Sequence, residues 1–193
     1  SYWPNGQVWA EGEYDHGWRQ GMWRWWEEDG QPDMEGAYVD QNPVGEWAVY
    51  LTDDVLGVLI RFAGPYDGGV RQGLWTGTYV DAGTPEEEVF YFDNLMEGPL
   101  TAWWPDGTLR AEGAFLAGLA EFTWRFWHQN GQLATECPYH QGTPHGFCVG
   151  WYDTGEKHSE GSYLMGMKVG LWSYWDEDGV ETTEEFDAYG YPQ

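Results

Sequence analysis

Large aromatic residues alternate with small and polar ones along this chain in runs of about six, and glycine-containing turns separate the runs. Alternation of this kind over short runs predicts β-strands, and paired runs around a glycine turn predict β-hairpins. The turns are themselves periodic. Glycines following acidic or polar residues fall at Gly6 and Gly30, then at Gly83, Gly107, Gly131, Gly155 and Gly179, in steps of 24. Asp54 stands 24 after Gly30, and the interval from Asp54 to Gly83 is 29, which predicts a short insertion around residues 55–60. The units expected on this count are 6–30, 30–54, 54–83, 83–107, 107–131, 131–155 and 155–179, with a partial unit at 179–193, all in one array. Internal repetition of this length marks an array of identical supersecondary units.

Each unit carries the same skeleton. A Glu-Gly-x-Tyr element appears as Glu11-Gly12-Glu13-Tyr14, Glu35-Gly36-Ala37-Tyr38 and Glu160-Gly161-Ser162-Tyr163. Nine residues after its glycine comes Gly-x-Trp with a further aromatic, as in Gly21-Met22-Trp23 with Trp26, Gly45-Glu46-Trp47 with Tyr50, Gly73-Leu74-Trp75 with Tyr79, and Gly170-Leu171-Trp172 with Trp175. The fifth unit keeps Trp124 and Trp127 but has Phe122 in place of the glycine. Asp29-Gly30, Asp106-Gly107 and Asp178-Gly179 supply the turns between units, where Asp bonds its own backbone and Gly accepts positive φ. A hairpin centred between its strands sets Gly12 opposite Trp23 and Tyr14 opposite Gly21, so that rings cover bare strand positions. The same register pairs Arg24 with Glu11 and Arg125 with Glu112.

These motifs resemble MORN repeats. With Trp at the second glycine position and a period of 24, the closest likeness is to the bacterial variant seen in YwqK-type proteins, a family labelled as antitoxins. The resemblance covers nearly the whole chain and implies an all-β fold: an elongated, single-layer, twisted antiparallel sheet of tandem β-hairpins used for protein–protein contact. The fourth unit departs from the pattern, with Glu88-Val89-Phe90-Tyr91 for Glu-Gly-x-Tyr and Leu100 for Trp. The array is therefore expected to be irregular near residues 55–100.

Composition agrees with strands. Trp 15, Tyr 13 and Phe 8 stand beside 28 glycines in 193 residues, which excludes a helical bundle. Charge narrows the partners. With 33 acidic against 8 basic side chains the formal charge is −25, and such a surface repels phosphate backbones and anionic headgroups. Neither nucleic acid nor a membrane surface is expected as a partner, and a basic protein or peptide is. No apolar run approaches the roughly 20 residues of a membrane span. Nothing in the sequence separates a cytoplasmic from a periplasmic or secreted location.

Candidate chemistry is sparse. Cys137 and Cys148 face each other on the hairpin register and are disulfide candidates, with His140 and His145 on the same register completing Cys-x2-His-x4-His-x2-Cys. Zinc, a disulfide and free thiols are all compatible with that spacing, though strand parity sends Cys137 and His140 to opposite faces. Turns such as Asp176-Glu177-Asp178-Gly179 lack the ligand sequence of a calcium loop. His16, His128 and His158 fall near turns and are expected to be exposed. Nucleophile elbows, phosphate loops and zinc-protease signatures are all missing, so no catalytic residue, cofactor or metal is assigned.

The aromatic rows carry the functional expectation. Trp23, Trp47, Trp75, Trp124 and Trp172 recur at one strand position, and Trp26, Tyr50, Tyr79, Trp103, Trp127, Trp151 and Trp175 at another three residues on, or four for Tyr79. Parity sets the rows on opposite faces, where they stack between hairpins and leave some rings exposed for a partner. The expected function is a non-catalytic interaction module with an aromatic, acid-rimmed surface for a basic protein or peptide, of antitoxin, immunity or scaffold type. Glycan stacking on Trp and Tyr faces is the alternative, and self-association through open sheet edges a third.

Overall fold

The computed structural model describes residues 1–53 and 55–193 and contains, among them, strands and turns without a helix. Two compact units divide the chain, Ser1–Leu95 and Met96–Gln193. Unit 1 holds β1 (Ala10–Asp15), β2 (Trp18–Trp26), β3 (Pro32–Val39), β4 (Asn42–Thr52), β5 (Leu59–Asp67), β6 (Val70–Arg71), β7 (Gly73–Tyr79) and β8 (Pro85–Phe92). The unit boundary follows the first residue of β9 (Leu95–Trp103). Unit 2 continues with β10 (Leu109–Leu116), β11 (Leu119–Trp127), β12 (Leu133–His140), β13 (Thr143–Pro144), β14 (Gly146–Trp151), β15 (Lys157–Leu164), β16 (Met167–Trp175) and β17 (Glu181–Phe186). Within each unit the strands pair antiparallel with their neighbours in the chain, the short β6 and β13 being side steps of β5–β7 and β12–β14.

Register follows the aromatic code with one systematic shift. Glu11 pairs Arg24 and Ala10 pairs Trp25, but a bulge between Glu11 and Glu13 moves the rest by two, so Tyr14 meets Arg19 and not Gly21. The same step recurs between Glu112 and Ala114 and between Glu160 and Ser162. Its cause is the glycine before each Trp. Gly21, Gly45 and Gly170 have φ near +65° to +68°, a conformation that lets two extra residues bulge from one strand and twists the pair. Gly21 instead lies opposite Tyr38 of the next hairpin.

The insertion is also placed differently from the expectation. Asp54, assigned to the third turn, lies outside the described residues; the turn glycine there is Gly57, whose amide donates to Asp53 at 2.7 Å. Gly57 follows Gly30 by 27 residues and precedes Gly83 by 26. The added length is thus shared between a longer β4 and the turns on both sides of the third hairpin.

Where the Gly–Trp pairing is abandoned, its volume is redistributed. Val89 replaces the glycine and is fully buried opposite Trp75, while Leu100, in the Trp position, is buried opposite Gly113. In the sixth hairpin Cys137 and Cys148 replace glycine and Trp, and a disulfide joins them with their Cα atoms 4.3 Å apart. The sulfurs are thereby consumed, which removes the zinc alternative. The histidines do not face each other in register: His140 pairs Thr143, and His145 donates its amide to Pro138.

Candidate functional site

The first aromatic row is the core. Trp23, Trp47, Trp75, Trp124 and Trp172 are 0–7% exposed. Each indole lies on the glycine eleven residues earlier, so close that a Cβ there would stand under 3.0 Å from ring atoms. Four of them donate their indole N–H to the carbonyl ten residues back, at 3.1–3.2 Å: Trp23 to Glu13, Trp47 to Ala37, Trp75 to Pro65 and Trp172 to Ser162. Trp124 Nε1 is buried with no partner. Rings two residues on share the face, with Trp23 stacked on Trp25 at 5.6 Å and Trp172 on Tyr174 at 6.0 Å. A row so enclosed offers a partner no surface.

Three of the chain's few cations are spent on this face. Arg19 lies 5.0 Å over Trp23, Arg71 4.7 Å over Trp75 and Lys168 4.6 Å over Trp172. Each stands four residues before its Trp, and each is tied to a tyrosine hydroxyl, Arg19 to Tyr38 and Lys168 to Tyr174. Arg71 reaches both Tyr66 and Tyr91 at 3.4 Å. Cation–π contact with a hydrogen bond explains why a basic group is retained against the rings of so acidic a chain. The sequence signal for this was available: three of 8 basic residues occupy one repeat position.

The second row is half-buried at Trp26, Tyr50, Trp103, Trp127, Trp151 and Trp175, and buried at Tyr79. A bulge between Trp25 and Trp26, repeated between Phe126 and Trp127 and between Gly150 and Trp151, interrupts the alternation, so a parity count does not carry from one row to the other. These residues also join successive repeats. Side chains 23 residues earlier donate to their carbonyls: Trp3 to Trp26, Trp104 to Trp127 and Tyr152 to Trp175; His128 lies 2.9 Å from that of Trp151. His128 is therefore half-buried and engaged, where an exposed residue was expected. His158 likewise packs over Gly150. His16 is the exposed one, beside Asp15.

Acidic side chains form the other surface. Arg24 bridges Glu11 and Glu35, and Arg125 bridges Glu112 and Glu136 at 3.1 and 2.6 Å. These pairs are half-exposed and screened by solvent, so they mark the register more than they stabilise it. In unit 1, a cleft of about 590 Å³ opens beside the turns that end β2 and β4. Tyr50, Leu51, Leu59 and Pro32 give it an apolar part, Glu27, Asp29, Asp33 and Asp81 ring it with carboxylate, and no basic side chain lines it.

Two further cavities lie beside glycines at the position two after the Trp or its replacement. Other hairpins hold Trp25, Val49, Ala102, Phe126 or Tyr174 there, but glycine stands at Gly77 and Gly150. A cavity of about 440 Å³ adjoins the first and one of about 240 Å³ the second. Glu86 leans over Gly77 and is only 6% exposed, the one buried charged residue among those described. The smaller cavity borders the disulfide and His158. Among the described residues no group of His, Cys, Asp and Glu is arranged to hold a metal.

Comparison with known families agrees with this architecture. Residues 1–16 and 122–141 match the family model described as MORN repeat variant. No curated protein matches the chain.

Proposed function

We propose that this MORN-repeat variant protein is a non-catalytic interaction module that captures a basic protein or extended basic peptide. The observation that carries the reading is the cleft of unit 1, where Tyr50 and apolar neighbours lie within a ring of four carboxylates uncompensated by any lining cation. An apolar floor supplies contact area, and the rim supplies steering and selection by charge. The chain's charge of −25 extends the same field well beyond the cleft. MORN-type repeats serve generally as interaction modules, which is consistent with this use of the fold. An antitoxin or immunity role, neutralising a basic toxin, is one concrete form of the same activity.

The test is binding of a lysine-rich peptide followed by fluorescence anisotropy at low and high salt. Affinity is expected to fall at least about ten-fold between about 0.05 and 0.5 M salt, because the Debye length shortens from above about 10 Å to about half that or less. Tyr50→Ala and the double change Asp33→Asn with Asp81→Asn should each weaken it further at low salt. Absence of binding, or binding to neutral glycans that ignores salt, would sink the reading.

A further inference from the structure

We infer that the acid-rimmed cleft of unit 1 takes an arginine side chain, its guanidinium laid against the ring of Tyr50 with the carboxylates of Glu27, Asp33 and Asp81 around it. The inference rests on the reading of the chain as a binder of basic partners and names the group such a partner inserts. Two equivalent places in the repeat differ in one respect. Where β15 and β16 meet, the second-row ring is Trp175, and the ammonium of Lys157 stands 5.7 Å over it while bonding Glu160 at 2.8 Å. Lys157 opens its strand, and the residue that opens β3 in the same way, opposite Tyr50 of β4, is Pro32. Both Pro32 and Tyr50 line the cleft. The ring is therefore kept, and proline replaces the cation that covers it in the later hairpin.

The groups around the ring are uncommitted. Among the described residues the side chains of Glu27, Asp33 and Asp81 make no hydrogen bond or ion pair, while Asp29 accepts the amide of Gln31 at 2.9 Å. Tyr50 has no aromatic or cationic neighbour of its own, and its hydroxyl has no partner. Arg61, in register with it on β5, is directed to Glu35 at 3.9 Å and does not line the cleft. The three free carboxylates come from separate places, Glu27 from the turn after β2, Asp33 from β3 and Asp81 from the turn after β7, so they approach an occupant from different sides. That arrangement favours a guanidinium over an ammonium. A planar fork with five donors stacks on one ring and still reaches acceptors along its edges, whereas an ammonium over a ring is a point charge with fewer donors to spare. The fold's own cations behave this way: Arg71 over Trp75 reaches two tyrosine hydroxyls, and Lys168 over Trp172 reaches one. Leu51 and Leu59 supply an apolar wall for the methylene stem, and a volume of about 590 Å³ leaves room for the residues that flank the arginine in an extended segment.

The probes are two peptides of equal length and charge, Gly-Ser-Arg-Gly-Arg-Ser-Gly and the same sequence with lysine for arginine, titrated into 15N-labelled protein at low salt. The arginine peptide is expected to bind at least about ten-fold more tightly and to shift the amides of Gln31, Asp33, Leu51 and Thr52. Tyr50→Leu removes the platform, and Pro32→Lys restores an internal cation in the manner of Lys157. In each of these proteins the arginine peptide should lose its advantage, the two affinities then agreeing within about two-fold. Because the ratio of the two peptides is read in every protein, a general change in charge or stability does not imitate the effect. If both peptides bind the unaltered protein equally at the cleft amides, or if the advantage of arginine survives either substitution, the arginine subsite is wrong and the basic-partner reading stands. If neither peptide binds, or the shifts lie away from the cleft, both fall.

Discussion

The indole of Trp47 lies flat on Gly36, its neighbour in the same hairpin, and donates its N–H to the carbonyl of Ala37, 3.1 Å away. Gly36 contributes no side chain to the core, and that is its function: any Cβ would occupy the place of the ring. Gly64 lies opposite the same Trp on the other flanking strand. The core of this single-layer fold is thus one ring laid over one bare backbone position, repeated along the chain.

Gly36→Ala should therefore destabilise the protein by about 3 kcal/mol or more, approaching the cost of Trp47→Ala, because a rigid buried ring cannot give way as a flexible chain end does. Gly45→Ala makes the contrast. Its Cβ meets open space, and only the φ of +67° opposes it, at a cost of about 1–2 kcal/mol. Urea denaturation of both variants checks the order; a Gly36→Ala protein as stable as Gly45→Ala would contradict this account of the core.

Phe122 occupies the bulge position held by glycine in most hairpins, at φ +64°, and its side chain is 65% exposed. The backbone strain is carried without a compensating burial. Phe122→Gly is expected to raise stability by about 0.5–1 kcal/mol, the relief of the left-handed conformation less the added freedom of the unfolded chain. Thermal melting would show the gain. A lower melting temperature would mean that the ring packs more than its exposure indicates.

The disulfide Cys137–Cys148 closes a short loop across the sixth hairpin, with a sequence separation of 11. Chain-entropy reasoning gives about 3 kcal/mol for a loop of that length. The double change Cys137→Ser, Cys148→Ser should cost at least that much, since the hydroxyls would also be buried where Gly and Trp stand in other repeats. Denaturant midpoints with and without reductant provide the check, and an unaffected midpoint in reductant would show that the bridge contributes nothing.

Much of this was legible in the sequence, because the repeat exposes what each position tolerates. The hairpins, the Gly12–Trp23 contact and the Arg24–Glu11 and Arg125–Glu112 pairs all follow from period and pairing. The bulges are not legible, since a symmetric hairpin count has no place for the two residues inserted at Gly21 and sets Tyr14 opposite Gly21, whereas Tyr14 meets Arg19. A strict step of 24 points to Asp54 and not to Gly57, because it cannot divide an insertion between two turns. The site was the least legible part. Trp23 and Trp26 look alike as sequence, yet burial separates a core ring from a half-buried one. Nothing local marks Glu86 as buried; only the bare backbone of Gly77 on the adjoining strand makes room for it.

The contact of Arg71 with Tyr91 offers a titration that reports on the same corner of unit 1. Burial raises the Tyr91 phenol above its ordinary value of 10.0, and the guanidinium beside it pulls in the opposite direction. A tyrosine raised in the folded state contributes stability that is fully present below the unfolded value and is lost as pH rises through the folded one. Arg71→Met removes the opposing cation, so Tyr91 should ionise at still higher pH and the alkaline loss of stability linked to it should move up with it. The remaining tyrosines obscure a direct reading, so the alkaline absorbance titration of Arg71→Met is compared with that of Arg71→Met, Tyr91→Phe, and the difference isolates one phenol. If that phenol titrates earlier than it does between the unaltered protein and Tyr91→Phe, the guanidinium is not what holds it down, and the hydrogen bond drawn between them at 3.4 Å carries no electrostatic weight.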